Sequence, residues 1–474
     1  MNEKVYLYQE RLKRYLTAMR NEKPDHIPIR PFVAEFTAKY AGYTCQEVTH
    51  DYRKAFEAVI KCARDFDWDA VVPNMVYVWT GLTQALGLKY YAVPGVDIPP
   101  DTPFQYLEPS EQKAFMKPDE YNLLIDDPTG FLYNVWLPRV STEIAETAPP
   151  YRSRLALVKG AMAMIDYFNA SALQVERMRR ETGTVSAIAG ILKAPLDIIA
   201  DKLRGYIGLV KDLHRQPEKV FEACEALAPH LTKVALMTAD PGKKVPIGFW
   251  MHRSYVPFIS MSHFKNIYWR TLKPIIEEIW RHDNQVLFYA EGDWTPHLDS
   301  FAELPEGSIV FHVDRSDIYE VRRKLKDKFC ISGGIPNWLL SIGTPEEVSR
   351  YCKKVIDVLA SDGGYIMDAS AIIQNDAKVE NIKAMTDFTR SYGAYPLRQS
   401  KGLEQRSYSK ENLDEAGPSE SIPKSKIKPG VCIPWEEKRK ELPRIYGDES
   451  ILKRIWEEIE SFGYLFIWQV LLSF

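Results

Sequence analysis

No uninterrupted apolar stretch in the 474 residues reaches the length of about 20 that a membrane-spanning helix needs. The closing GYLFIWQVLLSF (463–474) is too short to cross and is expected to dock on the protein or on a second subunit. The opening MNEKVYLYQERLKRYL has charges where a signal peptide keeps its apolar core, so it reads as an amphipathic helix. Cysteine is scarce: Cys45, Cys62, Cys224, Cys330, Cys352 and Cys432 are scattered without a CxxC pair, which fits reduced thiols in a cytoplasm rather than a disulfide scaffold. Charge of one sign is missing too. With 61 Lys and Arg against 64 Asp and Glu, the net charge of −3 gives no electrostatic reason to expect nucleic acid or anionic membrane as partner. GxGxxG after a first strand, a P-loop, HExxH and GxSxG are all absent, and there is no internal repeat.

What the chain has is 45% hydrophobic residues, enough to bury a large core, arranged in a regular series. Short β-rich runs occur at 26–33, 69–78, 183–190, 245–252, 285–291, 308–314, 328–334 and 363–369. Helical patterns lie between them, at 263–283 and 344–361 among others, and the second opens with Thr344 three residues before Glu347, a capping-box signature. Eight strands alternating with helices predict an α/β fold, a closed (β/α)8 TIM barrel over 1–396. The long gap after the second strand predicts a mostly helical insertion over 95–180 that covers the barrel mouth. The polar stretch 397–430 reads as a linker, and 431–474 as a C-terminal helical extension rich in aromatics.

In such a barrel the chemistry sits at the carboxyl ends of the strands. Those ends offer Asn74, Tyr77 and Trp79, then Lys193, His252 and Arg253, Tyr289 and Glu291, His312 and Asp314, Ser332 and Asn337, and Asp368. Glu291 and His312 end successive strands, and a carboxylate with an imidazole supplies two of the three protein ligands of a catalytic zinc. Each has a plainer reading as a substrate hydrogen-bonder or a buried structural group. Asn74, Tyr77, Trp79 and His252 are candidates to line a substrate pocket, and the aromatics around the mouth suit a flat apolar substrate.

Four stretches carry a family resemblance: DAVVPNMVYVWTGLTQALG (69–87), GILKAPLDIIADKLRG (190–205), KFCISGGIPNWLLSIGTPEEV (328–348) and DGGYIMDASAIIQNDAKVENIKAM (362–385). Through them the chain resembles the uroporphyrinogen decarboxylase superfamily over roughly 10–393, whose members are β/α barrels that divide into true decarboxylases and corrinoid-linked methyltransferases. The decarboxylases' arginine-rich RQAGR-type loop is missing from PIRPFVAEFTAKYAG (28–42), and the last strand, IMDASAII (366–373), has no histidine. The methyltransferases that activate thiols hold zinc by His-x-Cys and a later Cys. Here those positions read Tyr289-Ala290-Glu291 and Ala371. The remaining resemblance is to the zinc-dependent methyltransferases of anaerobic aryl ether O-demethylase systems. Their Glu-x20-His ligand pattern matches Glu291 and His312, while their further Glu falls on Ile276, with Glu277 adjacent. Asp368 is the better third ligand by position.

The resemblance implies transfer of a methyl group from a small methoxylated aromatic to the Co(I) corrinoid of a partner protein, with zinc as cofactor. Glu291 and Tyr289 are the expected catalytic residues, Tyr289 as proton donor to the leaving oxygen. The segment DLHRQP (212–217) has an Asp-x-His core but lacks the later glycine of a corrinoid-ligating loop, so the corrinoid must come on a separate protein. A homo-oligomer is compatible with this reading. Two alternatives stand beside it: a uroporphyrinogen decarboxylase-like carboxy-lyase, and a metal-free barrel that only binds a corrinoid protein.

Overall fold

A parallel strand buried on both faces is built from a near-continuous apolar run, and each of the eight runs contributes one strand. In the computed structural model the described residues are 3–72, 80–395, 422–423 and 425–473. The barrel strands are β1 (29–33), β2 (Ala70–Val71), β3 (Val185–Ser186 with Ile191–Leu192), β4 (Ile247–Met251), β5 (Val286–Ala290), β6 (Ile309–Val313), β7 (Cys330–Gly333) and β8 (Tyr365–Ile366). β3 to β8 form a parallel series, β2 pairs with β3 through Ala70–Val185, and β1 pairs with both β2 (Phe32–Val72) and the chain after β8 (Ile29–Met367, Val33–Ile373). The pairings close a ring, the expected barrel.

Strand alternation divides the apolar side chains into two sets. Phe249, Phe288 and Phe311 point outward into the core beneath the helices, while Trp250, Tyr289, Val310 and Cys330 point inward. Register partners place Trp250, Tyr289, His312 and Ser332 side by side in one interior layer. The helix Glu3–Met19 closes one end, packing Leu12, Tyr15 and Met19 onto the interior set, and the Tyr15 hydroxyl donates to the Ala187 carbonyl at 3.1 Å. Arg14 ties this plug to Asp25 and to Asp69, the residue before β2. The amino ends of the strands are thus covered, and the carboxyl ends remain for chemistry.

The expected helix 344–361 is Pro345–Leu359, with the Thr344–Glu347 capping box formed in both directions. The expected helix 263–283 runs from Met261 to Arg281 through a π-helical segment, Phe264–Trp269. The insertion differs from expectation. Short helices and an antiparallel hairpin (Tyr91–Ala92 with Gln105–Tyr106) fill the chain up to Val140. The helix Pro150–Glu181 then lies against Tyr52–Asp65 and Glu3–Met19 and delivers the chain to β3. It is the barrel's own crossover helix, which two parallel strands require, so the added segment ends near 149 rather than 180.

Of the expected linker, 397–421 and 424 lie outside the described residues. The closing helix Glu449–Leu472 buries Tyr464, Ile467, Trp468, Val470 and Leu471 against the barrel. The Trp468 indole N–H donates to Thr129 Oγ1 at 3.2 Å, and its ring stacks on His230 at 5.1 Å. Tyr90, from the hairpin, donates to the Val470 carbonyl. The aromatic run therefore docks on its own chain. Among the described residues no helix is long and apolar enough to cross a membrane.

Candidate functional site

Three neighbouring strands end in polar residues: Lys193 follows β3, His252 follows β4 and Glu291 follows β5. They meet a pair of aspartates from the helix that begins at Pro195 and continues as the π-helical segment Ile199–Arg204. The Lys193 ammonium lies 2.7 Å from Asp201 Oδ2, His252 Nε2 is 3.9 Å from the same oxygen, and His252 Nδ1 is 3.3 Å from Glu291 Oε2. The imidazole thus stands between two carboxylates. Burial alone would raise the Glu291 carboxyl, but the hydrogen bond and charge of His252 and the charge of Lys193 outweigh it and hold Glu291 below its usual range. Asp201, whose side chain is 15% exposed where that of Glu291 is 43% exposed, is held down in the same way by Lys193 and His252.

Asp197 lies one helical turn before Asp201 and behaves oppositely. Burial, with the nearby charge of Asp201, pushes its carboxyl up to about 7. Its Oδ1 accepts from the Ser254 hydroxyl at 2.7 Å, while Oδ2 is buried without a hydrogen-bond partner among the described residues. Asp314, after β6, accepts from the Gly292 N–H at 2.8 Å, and burial raises it to about 6. Carboxyls kept apart in this manner are the means by which one site offers both acid and base near neutral pH.

Of the residues expected from sequence, Glu291 and His252 lie together at this mouth, and His312 and Asp368 lie deeper. His312 is completely buried, its Nδ1 3.9 Å from Asp368 Oδ2. Both ring nitrogens are engaged: Nε2 is 3.0 Å from the Ser370 carbonyl, to which it donates, and Nδ1 is 3.0 Å from Ser332 Oγ, from which it then accepts. Burial, helped by the Arg30 charge, keeps His312 neutral, well below its usual value. Asp368 is raised by burial to about 7, against the pull of Arg30 and of the Phe32 and Ala369 N–H groups.

The structure therefore does not bring Glu291, His312 and Asp368 to one point. At Glu291 the strand has ended and its N–H turns back to the Tyr289 carbonyl at 3.0 Å, which sends the side chain toward His252. His312 has no lone pair left for a metal, and among the described residues no three His, Cys, Asp or Glu side chains are grouped to hold one. As placed, the donors do not fit zinc. Tyr289 also departs from its expected role: it is buried between Trp250 (4.6 Å) and His312 (4.0 Å), with no hydrogen-bond partner for its hydroxyl among the described residues. Asn74, Tyr77 and Trp79 lie outside the described residues.

Sequence reasoning passed over Asp197, Asp201 and Ser254. The signal was available: two aspartates four apart share a helix face, directly after a strand ending in Lys193. A surface hollow of about 390 Å³ lined by Tyr43, Lys61, Arg64, Arg177 and Glu181 lies on the outer helices, away from the strand ends. Its cations are matched by carboxylates, Lys61 to Asp65 and both arginines to Glu181, so the chemistry belongs to the mouth.

The family model described as uroporphyrinogen decarboxylase (URO-D) matches residues 10–132 and 155–392. Among solved structures, a methyltransferase from Methanosarcina mazei aligns at 12% identity and a TM-score of 0.53, covering 81% of this chain and 98% of that one. A B12-independent methionine synthase from Shewanella sp. W3-18-1 aligns at 10% identity and a TM-score of 0.26, covering 73% and 89%. No curated protein matches by sequence.

Proposed function

Since the chain belongs to the uroporphyrinogen decarboxylase family, we propose that it is the methyltransferase of an aryl ether O-demethylase, moving a methyl group from a methoxylated aromatic to the Co(I) corrinoid of a partner protein. The observation that carries this reading is His252 held between Asp201 and Glu291 at the strand ends. An aryl methyl ether leaves as a phenol only if its oxygen receives a proton as the C–O bond breaks. The partner's Co(I) supplies the electron pair that bonds to the methyl carbon, the C–O pair stays on the aryl oxygen, and methyl-Co(III) and the phenol result. His252, once protonated, passes its proton to that oxygen, and Glu291 and Asp201 orient the ring and balance its charge. The donor role thus moves from Tyr289 to His252. Asp197, one helical turn from Asp201, is held by the Ser254 hydroxyl, and burial together with the charge of Asp201 raises its carboxyl to about 7.

The balance of charge at the mouth supports methyl transfer over tetrapyrrole decarboxylation. Lys193 is matched by Asp201 and Arg253 by Glu108, which among the described residues at the mouth leaves little positive charge for a substrate with many carboxylates. The zinc that the resemblance implies finds no three-donor set among the described residues.

The test is to supply the purified chain with a reduced corrinoid protein and a panel of methoxylated aromatics, following the methyl-Co(III) absorbance and phenol release. Turnover by the native chain and its loss in His252→Gln supports the reading. Turnover unaffected by His252→Gln, or carbon dioxide release from a polycarboxylate tetrapyrrole with no methyl transfer, overturns it. Metal analysis of the same preparations reads directly whether zinc is bound.

A further inference from the structure

The last carbonyls of a helix have no donor within it and must find one elsewhere. At the end of the π-helical segment Ile199–Arg204, three successive carbonyls take theirs from the added segment: Asp201 from the Tyr106 hydroxyl, Lys202 from the Trp136 indole at 2.7 Å and Leu203 from the Met116 N–H at 2.9 Å. The Lys202 side chain is buried in the same place. Its Nζ has no hydrogen-bond partner among the described residues and lies 4.0, 5.2 and 4.9 Å from the ring centres of Tyr90, Tyr91 and Tyr106. Burial, with the charge of Lys193, pushes the amine well below its usual range. Taking an amine from water without an acceptor is costly, and the negative faces of three rings offset part of that cost.

The closing helix completes this cage. Tyr90 donates to the Val470 carbonyl at 3.1 Å, and Tyr91 donates to Ser473 Oγ at 3.2 Å. Glu449–Leu472 lies beyond residue 392, where the family match ends, so the barrel common to the family does not include it. We propose that Lys202 is a positioning residue, a peg in the tyrosine cage that fixes the direction of Asp201 toward His252, and that the closing helix takes part in the active site by holding the cage shut. The inference rests on the reading of His252 as the proton donor.

Neighbouring side chains keep a fixed angle about a helix axis, so locking residue 202 locks the direction of residue 201. Asp201 needs such control. Its Oδ2 is 2.7 Å from the Lys193 ammonium but 3.9 Å from His252 Nε2, beyond a direct hydrogen bond, so it acts on the ring through charge, which weakens as the turn rotates away. A shift of about 1 Å in a catalytic group can cost about 10²-fold in rate. The three rings enclose Nζ, so the side chain acts through Asp201 and not on substrate. A role in core packing alone would change stability and leave the site as it is.

Initial rates of methyl transfer over a series of ring-substituted aryl methyl ethers test the proposal. The ring-carbon resonance of His252, assigned by its loss in His252→Gln, is read in parallel. Lys202→Ala should lower the rate about 10-fold, and most for the least acidic phenols, the signature of a misplaced proton donor. Lys202→Met refills the cage and should recover most of the loss. In an Asp201→Asn background, Lys202→Ala should cost nothing further. Ser473→Ala takes the acceptor from Tyr91 and should act in the same direction as Lys202→Ala, more weakly. At a fixed pH the His252 resonance should move in both variants as it does in Asp201→Asn. A native rate and resonance in Lys202→Ala overturn the proposal, as does a loss that multiplies with that of Asp201→Asn. A loss as large in Lys202→Met as in Lys202→Ala also overturns it, because the amine would then act chemically. If the native chain transfers a methyl group from none of the ethers, the proposed function fails, and the His252 resonance alone decides whether Lys202 positions Asp201. Should Lys202→Ala unfold by circular dichroism, Ser473→Ala decides in its place.

Discussion

Replacing Asp197 by asparagine isolates the energetic consequence of burying a carboxyl at the strand ends. In the folded chain this group titrates near 7 instead of 3.8, chiefly because burial penalises the carboxylate. A raised folded value means that the native state holds the proton more tightly than the unfolded chain. The stabilisation this brings is complete below about 3.8, falls as pH rises, and is gone above about 7. At about 1.4 kcal/mol per pH unit, the native protein should lose up to about 3 kcal/mol from this group between pH 5 and pH 8.5. Asparagine cannot ionise. It keeps an oxygen to accept from Ser254, but it puts an amide where Oδ2 now has no partner, a cost of about 1–3 kcal/mol that does not change with pH. The useful quantity is therefore the difference between variant and native stability at pH 8.5 minus that at pH 5, in which the constant cost cancels. Urea unfolding of both proteins across this range should give a double difference of about 1–3 kcal/mol in favour of asparagine at the higher pH. Asp368 and Glu35, which burial also raises to about 7, slope in the same direction in both proteins and drop out. Parallel stability curves for the two proteins would refute the assignment of a buried, proton-holding carboxyl to this position.

His252→Gln should lower methyl transfer about 10²- to 10⁴-fold, and less for ethers whose phenol is a stronger acid, read from initial rates over a series of ring substituents. Glu291→Gln should give a smaller loss, because it leaves Asp201 on the other imidazole nitrogen. Asp212 accepts from Arg204 and from the Tyr121 hydroxyl in a buried cluster, so Asp212→Ala should cost about 3–5 kcal/mol by stranding the guanidinium, measured by denaturant unfolding. Trp468→Ala should remove about 3–5 kcal/mol by emptying the space between Thr129 and His230, and limited proteolysis should then release the closing helix first.

Local pattern was sufficient for the barrel. Eight apolar runs, the caps and the helical periodicities are properties of neighbouring residues, and a period of two fixes which side chains face inward. The same periodicity placed Glu291 and His252 at strand ends, where they are found. It did not separate the crossover helix from the added segment before it, because both read as helix and only tertiary packing, here against Glu3–Met19, Tyr52–Asp65 and Thr80–Leu86, distinguishes them. The site's geometry was decided elsewhere. Alternation assigns Tyr289 and Glu291 to one side of a strand, but the strand stops at Ala290 and the chain turns, so that Tyr289 is sealed inside while Glu291 meets His252. His312 ends its strand as expected, yet Ser332 and Ser370, brought from 20 and 58 residues away, take both its nitrogens. Whether a donor is free or already engaged depends on contacts between distant segments. The sequence determines which side chains reach the mouth of the barrel, and tertiary packing decides which of them face one another there.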